Sequence, residues 1–440
     1  EMDKQRARFV DGAVKNEVSK PQADLIFDLL AKFANYGFNK SHAAAYAVVS
    51  YQTAWLKANH PVEFYAAAMT TECANQEKLS AYRNEMRQRG IPLYPPDVNA
   101  SGPRFTVEDG SDGTGVRYAL AAIKGVGAAA MDQLVRERAT KGPFTDVFDL
   151  MARCGTKVIN KRLLESLARA GALDSLAPNR HRLVQGADLL LRYASASGEA
   201  ADSTQVSLFG GTGAAQIPPP ELPQVEDWPA LERLQMEFDV LGLYLSAHPL
   251  DGYGGALARL GVTPGERLRQ VAAAGEGGRL KLAGVIVAKQ EKVTERTRFA
   301  RVVLSDPSAQ FEVTVFSELL AQHRELLEGS APLYVEADAR VDGDNLRLTA
   351  QRVQRLEEIA DQGQATVEIR IAAPAVALKL KPMLERRGQA GARVLLVLPV
   401  PDGDEAVLVL PETYGLASGQ RLDIEGLPGV VTVRDLSRLH

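Results

Sequence analysis

The stretch Ile123-Lys124-Gly125-Val126-Gly127 decides how the middle of the chain is interpreted. It follows the apolar run from Tyr118 to Ala122 and precedes a pattern of apolar residues at helical spacing. Two glycines one residue apart let the backbone turn tightly and leave bare amide N–H groups at the start of the second helix, which suit a phosphate. Glycine has no Cβ, so a sugar-phosphate chain can approach closely. The same glycines also fit a helix C-cap followed by a plain loop, and the stretch alone leaves both interpretations open.

A second helix pair follows this hairpin, over residues 147–153 and 160–169. Two helical hairpins in tandem commonly hold both strands of a duplex across the minor groove, through contacts that do not read bases. The basic residues of this pair would neutralise phosphates or would form an ordinary solvated helix face: Lys157, Lys161, Arg162 and Arg169. We therefore predict a tandem helix-hairpin-helix domain, which binds duplex DNA, over residues 98–194.

Composition bounds the rest of the chain. Its 440 residues are enough for about three domains, and 45% hydrophobic with 24% charged residues is typical of globular proteins. The net charge of −4 means that any contact with DNA must come from local basic patches. Cys73 and Cys154 lack the spacing of metal ligands, which predicts a reducing compartment without structural zinc or a disulfide framework. No signal peptide or bilayer-long apolar run is recognisable, so we expect a cytoplasmic chain with no membrane partner.

Residues 1 to about 90 have helical patterns, and residues 91–97 form an extended, Pro-rich connector. The run from Ala43 to Asn59 is apolar nearly all round, so the sequence predicts that this helix is buried. Lys40 and His42 lie in the loop at its start. They would contact a phosphate of DNA or of an incoming nucleotide, or they would belong to a solvated loop whose histidine caps a helix; the local sequence leaves both open.

Residues 195–229 form a predicted linker, rich in Ser, Gly, Ala and Pro, and residues 230–278 a connecting helical segment. One apolar island interrupts the linker at residues 205–209, Gln205-Val206-Ser207-Leu208-Phe209. A Leu-Phe pair in polar, flexible sequence cannot form its own core. It therefore packs on a neighbouring domain or serves as a short docking peptide for another protein.

Five strand-like runs, with a helix after the third, occupy residues 279–358 and have the order of an OB-fold barrel, a frequent binder of single strands. Basic residues cluster on the first strands and their connecting loop: Lys289, Lys292, Arg296, Arg298 and Arg301. Phe299 and Phe311 alternate with apolar neighbours and fit a place in the core equally well, and the barrel also fits a purely structural module. Residues 365–440 alternate strand and helix as a small α+β domain, which we interpret as a docking surface. The predicted fold class is multidomain α+β.

Catalytic motifs are not recognisable. Two-metal chemistry needs carboxylates that share ions about 4 Å apart. The two Asp-Gly-Asp segments, at 342–344 and 402–404, both lie between strand-like runs and are typical of hairpin turns. No P-loop, nucleophile elbow or metal-binding histidine pair occurs. We expect no catalysis by this chain alone.

The motifs and their order resemble the DNA polymerase III alpha subunits, the C-family of bacterial replicative polymerases. Four stretches carry the resemblance, which covers about residues 1–355 and is weaker beyond: Tyr36-Gly37-Phe38-Asn39-Lys40-Ser41-His42-Ala43-Ala44-Ala45-Tyr46-Ala47 with Ser50-Tyr51-Gln52-Thr53, Tyr94-Pro95-Pro96-Asp97-Val98-Asn99, Ala122-Ile123-Lys124-Gly125-Val126-Gly127, and Leu241-Gly242-Leu243-Tyr244-Leu245-Ser246-Ala247-His248-Pro249.

The resemblance implies a role for each part. Residues 1–97 would be the end of an all-α fingers domain, in which Asn39, Lys40 and His42 lie near the template and the incoming nucleotide. The helix-hairpin-helix motif would hold primer-template duplex behind the active site through Lys124, Gly125, Val126 and Gly127. Gln205, Leu208 and Phe209 would bind the sliding clamp (beta), the barrel would bind single-stranded DNA, and the last domain would lie where the clamp-loader tau subunit binds.

The resemblance also implies what is missing. The amino-terminal PHP domain, which docks the proofreading exonuclease, has no counterpart here, and neither do the thumb and the palm with its metal-binding aspartates. We therefore expect the carboxy-terminal portion of a DNA-directed DNA polymerase, which is inactive alone and binds no cofactor, with Mg²⁺ belonging to the full-length enzyme.

Three other interpretations are compatible with parts of the sequence. An error-prone paralogue of the polymerase tends to lack the clamp peptide and the carboxy-terminal domain, both of which are recognisable here. A fragment of an NAD-dependent DNA ligase would carry a zinc-finger cysteine set, which two cysteines cannot form. A non-catalytic DNA-binding or tethering protein with the same modules is the third alternative.

Overall fold

The computed structural model describes residues 2–36, 40–202, 217–276, 278–293, 298–342, 345–360, 366–386, 391–400, 404–416 and 418–436. The chain divides into two compact units, residues 1–65 and 66–440, and each is described by itself.

The first unit is helical. It contains α1 (Met2–Lys15), α2 (Lys20–Tyr36), α3 (Lys40–Asn59) and the start of α4 (Pro61–Thr71). Helices α1 and α2 pack through Phe9 and Phe27, whose ring centroids are 5.6 Å apart. Arg6 reinforces this contact, because its guanidinium lies 3.2 Å from the carboxylate of Asp24 and also covers the Phe27 ring.

The prediction that the helix over residues 43–59 is buried is wrong. Helix α3 exposes large apolar side chains on several sides, with Tyr51 at 70% exposure, and the others are Tyr46, Val48, Val49, Trp55 and Leu56. A helix that is apolar all round needs partners on every side to be buried. The neighbouring helices do not supply these partners: α1 and α2 bury Val10, Ala23 and Phe27, and α2 itself leaves Leu25, Leu29 and Leu30 exposed.

The second unit begins with helices and a small sheet. Helix α5 (Gln76–Gln88) is capped by Asn75, whose side chain accepts a hydrogen bond from the N–H of Lys78. The strands β1 (Leu93–Tyr94), β2 (Thr106–Gly110) and β3 (Gly113–Arg117) form a sheet of order β1-β3-β2. A 3₁₀ turn at residues 120–122 follows and leads into the helices that carry the hairpins.

Five helices form the core of the helical domain: α6 (Ala128–Lys141), α7 (Val147–Val158), α8 (Lys161–Arg169), α9 (Arg180–Gln185) and α10 (Ala187–Asp202). Helix α8 is strongly amphipathic, since Leu163, Leu164 and Leu167 are buried while Lys161 and Arg162 are exposed. This arrangement turns the basic start of α8 toward solvent.

A connecting segment joins the helical domain to the rest of the unit. It comprises α11 (Ala230–Leu241), α12 (Gly254–Leu260) and α13 (Leu268–Val271). Gly242 ends α11 with a φ of +72°, a left-handed conformation that favours glycine. One apolar cluster contains Leu234 of α11, Val285 of the barrel and Leu422 of the last domain, so the connecting segment packs on both.

The barrel has the predicted OB-fold topology. Its strands are β4 (Arg279–Val293), β5 (Arg298–Ser305), β6 (Gln310–Phe316), β7 (Leu333–Asp342) and β8 (Asn345–Arg355), and α14 (Ser317–Gln322) follows the third. The closed order is β4-β5-β6-β8-β7, with β6 parallel to β8 and the other pairs antiparallel. Long β4 closes the barrel because its first half pairs with β7 and its second half with β5.

The last domain is a mixed sheet with helices. After α15 (Leu356–Ala360) come β9 (Thr366–Ile371), α16 (Val376–Leu380), β10 (Glu385–Arg386), β11 (Ala392–Pro399), β12 (Glu405–Gly415), α17 (Ser418–Glu425) and β13 (Val430–Asp435). The strand order is β10-β12-β11-β9-β13, and only β9 and β11 run parallel. The multidomain α+β class is thus confirmed. Within the described ranges, no helix is long and apolar enough to span a membrane.

Candidate nucleic-acid interface

The first hairpin exposes its glycines and buries its branched side chains. Ile123 and Val126 are buried, and the N–H of Val126 donates to the carbonyl of Ile123 at 3.0 Å. Lys124, Gly125 and Gly127 are exposed. Gly125 has a φ of +87°, which explains why this turn contains a glycine. The turn therefore presents backbone and one cation to solvent.

Helix α6 begins directly after this turn without a side-chain cap. Gly127 is the N-cap residue, and among the described residues no side chain accepts from the first amides of the helix. A Cβ at Gly127 would meet nothing within 4 Å, so the space in front of these amides is open. Unpaired N–H groups and the positive end of the helix dipole can bind an anion here.

The second hairpin is built differently. Its helix α8 is capped by Asn160, whose side chain accepts from the N–H of Leu163 at 3.0 Å. Gly155, with a φ of +66°, bends the chain near the end of α7. The second hairpin thus has one fewer free amide than the first, and its contribution is mainly the basic start of α8.

The basic residues of the helical domain fall into two groups. Lys161 lies 2.8 Å from the Asp188 carboxylate, a hydrogen bond that raises the pKa of Lys161, and Arg169 lies 3.3 Å from Glu165. In contrast, the described residues form no ion pair with Lys124, Lys157 or Arg162, which are all exposed. A Cβ on Gly125 would lie 3.2 Å from Nε of Arg162, so this guanidinium covers the first turn.

The position of the first hairpin depends on α11. The N–H of Lys124 donates to the carbonyl of Val240 at 2.9 Å, and the hydroxyl of Tyr118 lies 3.4 Å from the carbonyl of Leu241. Helix α11 is held in turn by Glu237, whose carboxylate accepts from the N–H groups of Leu245 and Ser246.

Buried charges tie α11 to the helical domain. Arg180 is buried and donates to the carboxylate of Asp174 at 2.7 Å, and its Nη1 lies 3.4 Å from buried Glu237. The sequence interpretation assigned no role to this network. An Arg–Glu pair separated by 57 positions is not visible in local sequence patterns.

A buried histidine, also without a predicted role, joins the connecting segment to the barrel. His248 is 4% exposed, its Nδ1 accepts from the N–H of Leu250, and its Nε2 lies 3.3 Å from Oγ of Ser305 on β5. Burial and the positive charges of Arg83 and Arg87 lower the pKa of His248 to about 3. The imidazole is therefore neutral at physiological pH.

The predicted fingers residues lie in the first unit. Asn39 is outside the described residues, and Lys40 is the first residue of α3, with a side chain that is also outside them. His42 is exposed, and its ring lies 4.4 Å from that of Tyr46 on the next turn. A role for these residues near nucleotide stays a prediction.

The predicted clamp peptide, Gln205, Leu208 and Phe209, lies outside the described residues. Helix α10 reaches Asp202, past the predicted start of the linker at residue 195. Residues 217–229 run along α9, where Asn179 donates to the carbonyl of Val225 and the rings of His181 and Trp228 stack at 5.1 Å. Both flanks of the peptide are therefore attached to the helical domain.

The predicted basic cluster of the barrel is largely ion-paired. Lys289 and Arg298 both contact Glu291, at 3.2 and 2.5 Å, and these contacts, chiefly the one with Arg298, lower the pKa of Glu291. Arg301 lies 3.6 Å from Glu312. The described part of the chain provides no ion pair for Lys292, and Arg296 lies outside that part.

Comparisons with known proteins agree with these modules. The helix-hairpin-helix motif family matches residues 90–183. The DNA polymerase III subunit alpha of Caulobacter vibrioides is 40% identical over 440 residues, which cover 99% of this chain and 38% of that protein. The subunit of Escherichia coli K12 is 37% identical over 82% of this chain and 31% of its own length, and that of Thermus aquaticus 38% over 83% and 29%.

Solved structures match this chain only distantly. The SSB domain of a Synechococcus protein is 23% identical, with 18% of this chain and 94% of that domain covered and a TM-score of 0.16. The fold of the barrel is therefore assigned from its own strand order.

The chain spans 29 to 38% of the length of these curated polymerase relatives. Over nearly its whole length it is similar to DNA polymerase III alpha subunits, which confirms the resemblance that its motifs indicate.

Proposed function

We propose that this chain is the carboxy-terminal part of a replicative DNA polymerase III alpha subunit, and that it holds DNA and protein partners for nucleotidyl transfer performed elsewhere in the enzyme. The observation that carries the proposal is the exposed turn at Gly125 and Gly127, which leads into α6 without a side-chain cap and is flanked by Lys124 and Arg162, two cations with which the described residues form no ion pair. It occurs in a chain that is 40% identical to an alpha subunit over 99% of its own length.

The hairpin binds duplex DNA through phosphates. The first amides of α6 donate to phosphate oxygens, while Lys124 and Arg162 neutralise charge beside them. Buried Ile123 and Val126 hold the turn in place, so the turn should lose little conformational entropy when DNA binds. All of these groups contact phosphates and none of them has to contact a base. Binding is therefore expected to be independent of sequence and sensitive to salt.

The barrel and the flanking segments supply the other contacts. The OB-fold barrel binds the single-stranded template, the peptide Gln205–Phe209 binds the sliding clamp, and the domain over residues 365–440 docks the clamp-loader tau subunit. Catalytic aspartates and Mg²⁺ belong to the palm of the full-length polymerase; in the described residues no group of three His, Cys, Asp or Glu side chains is placed to hold a metal.

Fluorescence anisotropy with labelled primer-template tests this proposal. The purified chain should bind primer-template with an affinity that falls steeply with salt, and should extend no primer when nucleotides and Mg²⁺ are added. Absence of DNA binding at low salt, or robust primer extension by this chain alone, would overturn it.

A further inference from the structure

Strand β12 leaves part of one edge without a partner. In the sheet order β10-β12-β11-β9-β13, short β10 pairs only with the last two residues of β12. Residues 405–409 pair with β11 on the other side, and the register shifts between Val409 and Thr413, where Pro411 lies. Within the described ranges, no strand pairs with the outer edge of residues 405–410, which we call the free edge.

The free edge exposes large apolar side chains on both faces of the sheet. Leu408 is the cross-strand partner of Leu396 and thus lies on the face that carries the core, yet it is 50% exposed. Val407 and Val409 alternate with Leu408, so they lie on the other face, where they are 57% and 60% exposed. A partner that lies flat on one face of the sheet can cover only one of these two sets.

The free edge lacks the usual protection of an edge strand. Natural proteins protect such edges with lysine, with proline or with a covering element. Residues 406–410, Ala-Val-Leu-Val-Leu, contain no charge and no proline. The opposite edge of the sheet is protected, because α12 lies against β13 and Arg259 is 3.0 Å from the carboxylate of Asp435. An open and apolar edge of this kind is suited to pairing with another strand.

Acidic residues bound the free edge. Glu405 is bound to Arg370, whereas the described residues form no ion pair with exposed Asp404, and Glu412 is exposed at the other end. Antiparallel pairing of two copies about Leu408 would place Asp404 of one copy opposite Glu412 of the other. Like charges in cross-strand positions are destabilising. The ends therefore favour a partner strand with basic residues over a second copy of this chain.

We propose that the free edge binds an extended apolar segment of another protein, which adds a sixth strand to the sheet and carries basic residues at its ends. A strand paired edge-on covers both faces, because its own side chains alternate as those of β12 do. It also pairs the backbone N–H and C=O groups of the free edge. The inference goes beyond the proposed function, because it concerns the chemistry of the docked segment and not which protein carries it.

Fluorescence anisotropy with a labelled synthetic peptide and the whole chain tests the inference. The peptide copies Val394–Leu398 of β11, the strand that β12 accepts on its other edge, and has a pair of lysines at each end. Two analogues carry N-methyl groups at the odd or at the even positions of this segment. Only alternate N–H groups of a strand face a given neighbour. One analogue should therefore lose binding while the other keeps it.

Lysine substitutions on the two faces separate edge pairing from docking on one face. Leu408→Lys and Val409→Lys should each weaken peptide binding about tenfold, because a lysine on an edge strand opposes pairing. Val431→Lys is the matched control: Val431 is 59% exposed on β13, at the opposite edge of the sheet, so its replacement should leave the affinity unchanged.

A second variant keeps the test valid if a lysine variant does not fold. Leu408→Thr retains a preference for strand and removes apolar area, so it should also weaken peptide binding, by severalfold. Thermal melting followed by circular dichroism verifies that each variant is folded.

The inference is overturned if the unaltered chain does not bind the peptide, if both N-methyl analogues bind as well as the parent peptide, or if only one of the two faces is sensitive to substitution. Sedimentation velocity without peptide tests the second copy: a dimer that Leu408→Lys makes monomeric would identify a second copy as the occupant and would also overturn the inference. A monomeric chain, one inactive analogue and weaker binding by both lysine variants would support it. Because the probe is synthetic, these outcomes do not depend on whether the clamp-loader tau subunit docks on this domain.

Discussion

Gly125 and Arg162 are in contact range across the two hairpins: a Cβ on Gly125 would lie 3.2 Å from Nε of Arg162 and 3.2 Å from Oγ of Ser166. The turn of the first hairpin therefore packs closely against the start of α8, and a Cβ on Gly125 would require Arg162 or Ser166 to shift by a few tenths of an ångström. As a result, the uncapped amides of α6 and the guanidinium of Arg162 belong to one surface. This relationship distinguishes the two glycines, which the sequence pattern treats alike.

Replacement of Gly125 should harm both stability and binding. Gly125→Ala places a Cβ in a backbone conformation with φ of +87° and against Arg162. We expect a loss of about 1–2 kcal/mol in the free energy of unfolding and weaker duplex binding, measured by chemical denaturation and by anisotropy. Unchanged stability would mean that the turn relaxes freely and that its geometry is not constrained.

Replacement of Gly127 should separate stability from binding. Gly127→Asp provides an N-cap carboxylate in open space, with a φ of −85° that any residue adopts, so stability should rise by a few tenths of a kcal/mol or more. The same carboxylate would occupy the phosphate position and repel DNA, so duplex affinity should fall at least tenfold.

Gly127→Asn is the control for this variant, since it caps α6 without a negative charge. It should match the stability of Gly127→Asp and retain most of the duplex affinity. Equal DNA binding by Gly127→Asp and the unaltered chain would show that no phosphate approaches α6.

The ion pairing of α8 predicts which cation matters for DNA. Arg162→Gln should weaken duplex binding equally for all sequences and reduce the slope of log K against log salt by about one. Lys161→Gln is the matched variant, because it removes one positive charge from the neighbouring position. Lys161 is paired with Asp188, so its replacement should change the slope less. A larger effect of Lys161→Gln would contradict the assignment of Arg162 to the interface.

The barrel and the turn could be predicted because their signals are local. Alternation of apolar residues along β5 and β6, and a helix after the third strand, are readable within a few positions. The turn is likewise a short pattern of Ile, Val and two glycines. Strand ends were less predictable: the sequence pattern indicates a first strand from Arg279 to Lys289, whereas β4 continues to Val293, where pairing with β5 extends it.

Burial of whole faces could not be predicted from the same signals. The sequence of α3 indicates only that its apolar side chains would be stabilised by packing against other elements. Whether these side chains are exposed depends on which elements lie next to the helix. Ion pairs and buried hydrogen bonds are similarly non-local: Asp188, the ion-pair partner of Lys161, follows it by 27 positions, and Ser305, the hydrogen-bond partner of His248, follows it by 57. Phe299 and Phe311 have the same alternating surroundings, yet Phe311 is buried and Phe299 is only half-buried.

Neutral His248 should make stability depend on pH. Because the pKa of His248 is lowered to about 3 in the folded chain, the unfolded chain binds its proton first as pH falls below about 6.5. At pH 7.5 the imidazole is neutral in both the folded and the unfolded chain, so His248 does not change the free energy of unfolding. Between pH 6 and pH 4 the free energy of unfolding should fall by about 1.4 kcal/mol per pH unit.

His248→Gln should remove this part of the pH dependence, because glutamine can face Ser305 without titrating. Denaturation curves of both proteins at pH 4.5, 6 and 7.5 measure the difference. Parallel pH profiles would indicate that His248 protonates in the folded chain without cost.

The clamp peptide should act through three of its five side chains, those of Gln205, Leu208 and Phe209. Replacement of Gln205, Leu208 and Phe209 by Ala should abolish binding to a sliding clamp immobilised for surface plasmon resonance, because the Leu-Phe pair would lose the apolar area that it buries in the clamp. The double variant Val206→Ala/Ser207→Ala changes the intervening residues of the same peptide and should keep most of the affinity. DNA binding should be equal in both variants, since the flanks are attached to the helical domain through α10 and residues 217–229. Unchanged clamp affinity of the triple variant would refute the clamp-binding motif. The remaining role for the Leu-Phe pair would then be to pack on a neighbouring domain.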